Sequence, residues 1–362
     1  QQINYSLGPA TINRKVGFKS SLTEKFDFEI LSTEQLDGEK QKIEYIYKGK
    51  ILTESKLDLK TYKLTLPLST ETIYARGGKR CSSRSEKELF YQAWSPKFKR
   101  CRLKQGIDYD YFDILSYSED NIEKSHLKSE FMVDGEYNLF YYFGSDFHST
   151  TRFGFSGKAE AKLKYYYKKR GYSKSYDTEE RNSIFNKEGL IGHYSKYTGS
   201  TDGIKTNIYI LLGNPDGKTP KSRYEYFRFM KHAFKYASGI NYIGHSGLGT
   251  NLYMDALEEL YSEKIEYRVN HKQLMVLSGC STYLQSSGFF FEKKPNQDSL
   301  VLITNGLPIF TKLDKSVALT LADTFHYETE FTNKSLFEKL YKWIGSEGAT
   351  RENYPMSAVE SN

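Results

Sequence analysis

The sequence lacks the marks of several large functional classes. It has three cysteines and seven histidines, and no two of these fall at a metal-ligand spacing such as C-x-x-C or H-x-x-x-H. A zinc centre is therefore not expected. No G-x-x-x-x-G-K-[ST] phosphate loop occurs, and no cofactor is implied. No apolar run approaches the ~20 residues that a membrane-spanning helix needs. Lys and Arg exceed Asp and Glu by 52 to 45, but they are scattered, as in YYYKKRGYSK (165–174). With no basic stripe and no recognisable nucleic-acid module, this reads as a solvated basic surface, and nucleic acid is not expected as a partner.

The few cysteines are informative by position. Cys81 and Cys101 lie close together in the first third of the chain, and Cys280 stands alone in the last. A Cys81–Cys101 disulfide, with Cys280 left free, points to a secreted or periplasmic protein. Three reduced thiols in a cytosolic protein is the alternative. The chain opens on QQINYS, a start that a removed signal peptide or a cut boundary would each explain.

Aromatic residues are plentiful: 15% of the chain, with 31 Tyr and 23 Phe, within a hydrophobic content of 38%. That is enough to bury a substantial core. Residues 1–130 show period-two alternation, for instance Ile43, Tyr45, Tyr47 and Tyr62, Leu64, Leu66, with Gly38, Gly49, ARGGK (75–79) and Gly106 as turns. An N-terminal, mainly antiparallel β-domain of sandwich type is predicted there. From 131 to 362 the rhythm changes. The apolar runs YNLFYYFG (137–144), TNIYILLGNPDG (206–217), INYIGHSG (240–247), QLMVLSGC (273–280) and SLVLITNGLPIF (299–310) read as strands. Between and after them, 157–171, 220–239, 251–263, 315–328 and 333–345 read as helices. Continuous apolar strands alternating with amphipathic helices predict an α/β domain with a mostly parallel sheet covered on both faces. Ligands of such sheets bind beyond the carboxyl ends of the strands.

Two side chains stand at those ends. His245 follows the run INYIG, and Cys280 follows QLMVLSG. One helix separates the two strands, so they are expected to be neighbours, with both side chains on one rim. A thiol and an imidazole so placed form a nucleophile–base pair, and backbone N–H groups at Cys280 and just after His245 would serve a developing oxyanion.

The stretches YIGHSG and LMVLSGCST resemble the His and Cys strand ends of the caspase-like cysteine peptidases, the group of caspases, metacaspases, legumain, clostripain and gingipains. The resemblance covers residues 135–345 in strand–helix order. It implies a caspase-like fold, a peptide or protein substrate, Cys280 as nucleophile, His245 as general base or acid, and oxyanion donors at the backbone of Ser246 or Gly247 and of Cys280. It also draws the loop FGSDFHSTTR (143–152) into substrate binding, with Asp146, His148 and Arg152 as candidates. One position departs from the family pattern: Ser246 stands where glycine follows the histidine, and Gly247 comes one place later.

Two other readings stay open. GHSGLG resembles the G-x-S-x-G turn of the α/β-hydrolases, which would make Ser246 the nucleophile of an esterase or lipase, with Asp298 or Asp314 and His326 as partners. Against it, Leu248 occupies a position that needs a small residue, and His326 reads as helix interior. The third reading is a catalytically inactive caspase-like binding or adhesion protein, motivated by the departure at Ser246.

Overall fold

We describe the protein from a computed structural model. It describes residues 16–18, 27–35, 41–48, 51–53, 63–81, 96, 99–113, 124–144, 154–175, 177–185, 192–214, 220–245, 251–279, 282–296, 298–305, 314–346 and 357–361. The chain divides into two compact units, residues 1–118 and 119–362.

The described part of the first unit consists of two-stranded antiparallel pieces and one helix. Strand β1 (Val16–Phe18) pairs with β4 (Ile51–Thr53), β2 (Asp27–Gln35) with β3 (Gln41–Lys48), and β5 (Lys63–Pro67) with β6 (Tyr109–Asp113). Among the described residues no larger sheet joins these pairs, so a sandwich is not formed by them. ARGGK, predicted as a turn, lies instead inside helix α1 (Thr70–Cys81). The glycines still register: Gly78 leaves helical geometry at φ 42°, ψ −141°, a conformation that only glycine adopts cheaply, and the helix is kinked there. Cys81 is bonded to Cys101 (Cα–Cα 4.6 Å), and Ile73, Leu103 and Tyr109 bury the bridge.

The second unit is a mixed α/β domain around one eight-stranded sheet. Its strands are β8 (Tyr137–Gly144), β9 (Ser173–Ser175), β10 (His193–Thr201), β11 (Ile204–Gly213), β12 (Gly239–Ile243), β13 (Gln273–Ser278), β14 (Leu300–Asn305) and β16 (Ser357–Ser361), in the order β16-β14-β13-β12-β8-β11-β10-β9. The central run from β14 to β11 is parallel; β10, β9 and β16 are antiparallel additions at the two edges. Every residue of β8, β12 and β13 is buried, as strands covered on both faces require.

Two layers of helix supply the cover. One face of the sheet, with Leu139, Tyr141, Phe143, Ile243, Val276 and Ile303, packs on α2 (Phe155–Lys169), α7 (Asp314–Tyr327) and α8 (Asn333–Ser346). The other face, with Phe140, Tyr142, Tyr242, Met275 and Leu302, packs on α4 (Pro220–Tyr236), α5 (Met254–Tyr261) and α6 (Thr282–Lys293). A further short helix, α3 (Thr178–Phe185), adds Ile184 and Phe185 to that second layer. The helices from α4 onward carry apolar residues at helical spacing, Tyr226, Phe229, Met230, Ala233 and Phe234 on α4 being the clearest stripe.

The unit starts earlier than position 131. Strand β7 (Ser125–Leu127) pairs antiparallel with β15 (Glu330–Thr332), between α7 and α8. Buried His126 meets Asn333 Oδ1 at 2.9 Å, and the short 3-10 helix Lys128–Phe131 follows. At the amino end of β13, Lys294 is fully buried. Its Nζ donates to the carbonyls of His271 (2.6 Å) and Arg268 (3.2 Å) and to Gln273 Oε1 (2.8 Å).

Candidate functional site

The sheet changes direction at β8. The chain leaves the carboxyl end of β8 for α2 on one face and arrives next, among the parallel strands, at β11. It leaves the carboxyl end of β12, on the other side of β8, for α5 on the opposite face and arrives at β13. The connections after β8 and β12 therefore diverge from two adjacent strand ends. In open α/β sheets this is where ligands sit.

Glycines line that point. Phe143 pairs with Ile243, so Gly144 and Gly244 follow side by side. A Cβ on Gly244 would stand 3.2 Å from Gly144 Cα and 3.3 Å from the Tyr242 hydroxyl, tighter than side chains tolerate without movement. The Gly144 carbonyl accepts from Ser156 Oγ on α2 at 2.6 Å.

His245 is the next residue, half-buried. Its backbone carbonyl is held twice. Tyr242 Oη donates to it from within β12, and Asn251 Nδ2 donates to it at 2.8 Å from just before α5. Asn251 is itself buried, and its carbonyl accepts from Tyr226 Oη on α4 at 2.5 Å. Tyr226 lies in a knot of three buried rings. Its centroid is 4.6 Å from that of Tyr142 on β8 and 6.0 Å from that of Tyr242, and the last two rings stack at 5.5 Å. The main chain at His245 is thus tied through aromatic side chains to two strands and a helix.

Strand β13 lies parallel beside β12, with Ile243 opposite Ser278. His245 comes two residues after Ile243, and Cys280 two residues after Ser278. The intervening turn is anchored: Gly244 N–H donates to the Ser278 carbonyl at 3.0 Å, and Thr282 Oγ1, at the start of α6, donates to the Leu277 carbonyl at 2.8 Å. Cys280 itself lies outside the described residues, as do Ser246, Gly247, Asp146, His148 and Arg152. The last three follow Gly144 in the sequence.

Two of the partners considered for a serine nucleophile, Asp298 and His326, lie elsewhere. Asp298 precedes β14, whose first residue pairs with the first residue of β13. It makes a 2.5 Å ion pair with Lys124, which holds its carboxyl below the usual range. His326 lies in α7 next to Phe325, whose ring is 5.6 Å from that of Tyr137, the first residue of β8. Both are at the amino ends of the strands, while Ser246 follows a carboxyl end. A strand of six residues spans roughly 17–20 Å, several times hydrogen-bond reach. Asp314 opens α7. The amino-end rim has an open polar cleft of about 340 Å³, lined by Glu130, Asn270, Lys272, Asn296, Asp298 and Ser299.

The residues that position His245 carry little signal in the sequence. Tyr242 reads as one more apolar position of its strand. Asn251 reads as the first residue of a helix that in fact begins at Met254. Among the described residues no group of His, Cys, Asp and Glu could hold a metal ion, and no helix is long and apolar enough to cross a membrane. A comparison with protein-family models and with curated proteins finds no match for the chain.

Proposed function

We propose that the second unit is a caspase-like cysteine peptidase domain, with Cys280 as nucleophile and His245 as its base. The observation that carries this reading is the register. Ile243 stands opposite Ser278, so the histidine and the cysteine follow neighbouring parallel strands by the same two residues, the histidine on the strand that borders the divergence from β8 and the cysteine on the next strand out.

In the first half of the reaction the imidazole takes the thiol proton. The thiolate attacks, and a carbon–sulfur bond forms as the peptide carbonyl opens to an oxyanion. Backbone N–H groups of Cys280 and of Ser246 or Gly247 receive that charge. Collapse expels the amine, which takes the proton from the imidazolium. Water, deprotonated by the same imidazole, then hydrolyses the thioester. Asp146, His148 and Arg152, following β8, are the substrate-contacting candidates. The Cys81–Cys101 bond favours an oxidising compartment, outside the cell or in the periplasm.

The test is hydrolysis of a broad peptide library by the full chain. Cys280→Ala and His245→Ala should each lose about 10³-fold or more in kcat/KM, as expected when one member of a catalytic unit is removed. Ser246→Ala should retain activity. Activity that survives Cys280→Ala and falls with Ser246→Ala, together with labelling by a fluorophosphonate, would transfer the chemistry to the serine. A parent that hydrolyses neither peptides nor esters would leave a binding protein.

A further inference from the structure

Lysines that look dispersed in the sequence are gathered by helix α2. Between Phe155 and Lys169 it carries Lys158, Lys162, Lys164, Lys168 and Lys169, and a single acid. That acid, Glu160, is buried and accepts from Lys164 Nζ, so the outer side of the helix holds no carboxylate of its own. At 3.6 residues per turn, Lys158, Lys162, Tyr165, Lys168 and Lys169 fall within an arc of about 120° and run along roughly 16 Å of helix. Lys158, Tyr165, Lys168 and Lys169 are exposed, and Lys162 is half-buried. The other side of α2, with Ala159, Leu163, Tyr166 and Tyr167, lies in the core.

The stripe continues past the helix. The Arg170 guanidinium lies 3.4 Å from the ring centroid of Tyr166 and 5.2 Å from that of Tyr327, and it donates to the Tyr327 hydroxyl. Lys174 on β9 stands opposite Tyr197 on β10, and residues opposite each other in an antiparallel pair share a face. Tyr197 packs in the α2 layer, so exposed Lys174 belongs to the same side. Two large rings remain uncovered among these cations: Tyr165, with Lys169 Nζ 4.9 Å from its centroid, and Tyr327, each more than half exposed.

We propose that the outer face of α2 docks the protein on an anionic membrane surface, the lysines reaching lipid phosphates and Tyr165 and Tyr327 resting at headgroup level. The inference does not depend on the peptidase reading.

Three observations select a bilayer as the occupant. First, the apolar side of α2 is already covered by the sheet and α7, so the helix has nothing to insert and attaches by charge. Second, the cations stand on the outside of a helix. A chain-like polyanion is held in a basic groove that tracks its backbone. The polar cleft at the amino-end rim is formed by other elements and carries the carboxylates of Glu130 and Asp298. Third, a half-exposed tyrosine has an apolar body and a polar tip, the combination enriched where a membrane meets water. Each lysine near such a surface is worth about five-fold in binding.

The experiment is cosedimentation of the full chain with vesicles of phosphatidylcholine containing about one-third phosphatidylglycerol, against vesicles of phosphatidylcholine alone. The parent should bind the first and not the second. Binding should weaken steeply from about 0.1 M to about 1 M salt, as the Debye length falls from about 10 Å to about 3 Å. Lys158→Gln, Lys168→Gln and Lys169→Gln together should weaken it about 100-fold, at three steps of about five-fold. Glutamine matches lysine in helix propensity, so the helix is kept. A control that loses the same charge at Lys205, Lys235 and Lys264, all outside α2, should stay within about three-fold of the parent. Arginine at 158, 168 and 169 should also bind within about three-fold of the parent. The same proteins are titrated with heparin and with single-stranded DNA, concentrations being counted per anionic group.

Equal binding to neutral and anionic vesicles, or binding to neither, overturns the proposal. A control that loses as much as the glutamine variant assigns the effect to net charge and overturns the role of α2. Loss in the arginine variant overturns the electrostatic account. Tighter binding of heparin or DNA than of vesicles, per anionic group, transfers the face to a polyanionic chain and overturns the membrane as its partner.

Discussion

Replacing Lys294 with methionine should destabilise the second unit, and by an amount that depends on pH. The side chain is fully buried, and the carbonyl oxygens of Arg268, His271 and the Gln273 amide accept from its Nζ. Methionine keeps much of the volume and leaves those acceptors bare. At pH 9 the amine is neutral and its two N–H groups can satisfy two of the three; each unsatisfied buried group costs about 1–3 kcal/mol, so with some relaxation the loss there is about 2–4 kcal/mol. Burial also lowers the lysine pKa from 10.5 to about 7. The unfolded chain therefore binds a proton between these values that the folded chain does not, and the parent gains stability as pH rises through that window. Each pH step of one within it is worth about 1.36 kcal/mol, so between pH 9 and pH 6 the parent loses about 3 kcal/mol on this account. The methionine variant has no such slope. Its deficit should therefore be largest at pH 9 and shrink by about 3 kcal/mol at pH 6. Hydrogen exchange of the Gln273 and Leu274 amides in a urea series reads this for the second unit. A variant as stable as the parent at pH 9, or a deficit that does not change with pH, would refute the reasoning.

Two further outcomes are expected. Cys101→Ser opens a bridge closing a 20-residue separation; chain entropy puts the loss at about 3 kcal/mol, which should lower the protection of the Ile73 and Asp108 amides in a urea series followed by hydrogen exchange. His232, packed against the rings of Phe140, Tyr209 and Tyr236, has its pKa pushed down to about 4 by burial. The unfolded chain then binds the extra proton between pH 6.5 and 4, so stability falls with acidification across that range. His232→Phe should flatten this acid limb by about 3 kcal/mol, and an unaltered limb in a urea series would count against it.

The parallel core of the second unit was legible because its strands are uninterrupted apolar runs and its helices carry stripes at helical spacing. Helix 220–239 is found at Pro220–Tyr236, and 315–328 at Asp314–Tyr327. What escaped lacks such a signal. Strand β10 reads HYSKYTGST, with only Ser195, Tyr197 and Thr201 buried, and it is a strand because β11 pairs with it along its whole length. Strands β7, β9 and β15 have three residues each, too few for any period. Helix α1 carries Gly77 and Gly78, and helix α6 carries Gly288, which argue locally against the helices that form. The domain limit near 130 followed a change of rhythm, whereas the unit begins where β7 finds β15, a partner about 200 residues downstream that no local pattern announces. At the site, the strand ends and their neighbours could be read from apolar runs. The hold on the His245 carbonyl could not, because it depends on where Asn251 and Tyr226 arrive in space.

The pairing of β7 with β15 bears on how the protein is made. His126 meets Asn333 across 207 positions of chain. At ~5–20 residues per second a ribosome needs roughly 10–40 s to travel that far. Throughout that interval strand β7 waits, already synthesised, for its partner. A nascent chain halted before residue 330 should leave Phe131 and its neighbours uncovered, a binding target for chaperones that vanishes only when the final helix emerges.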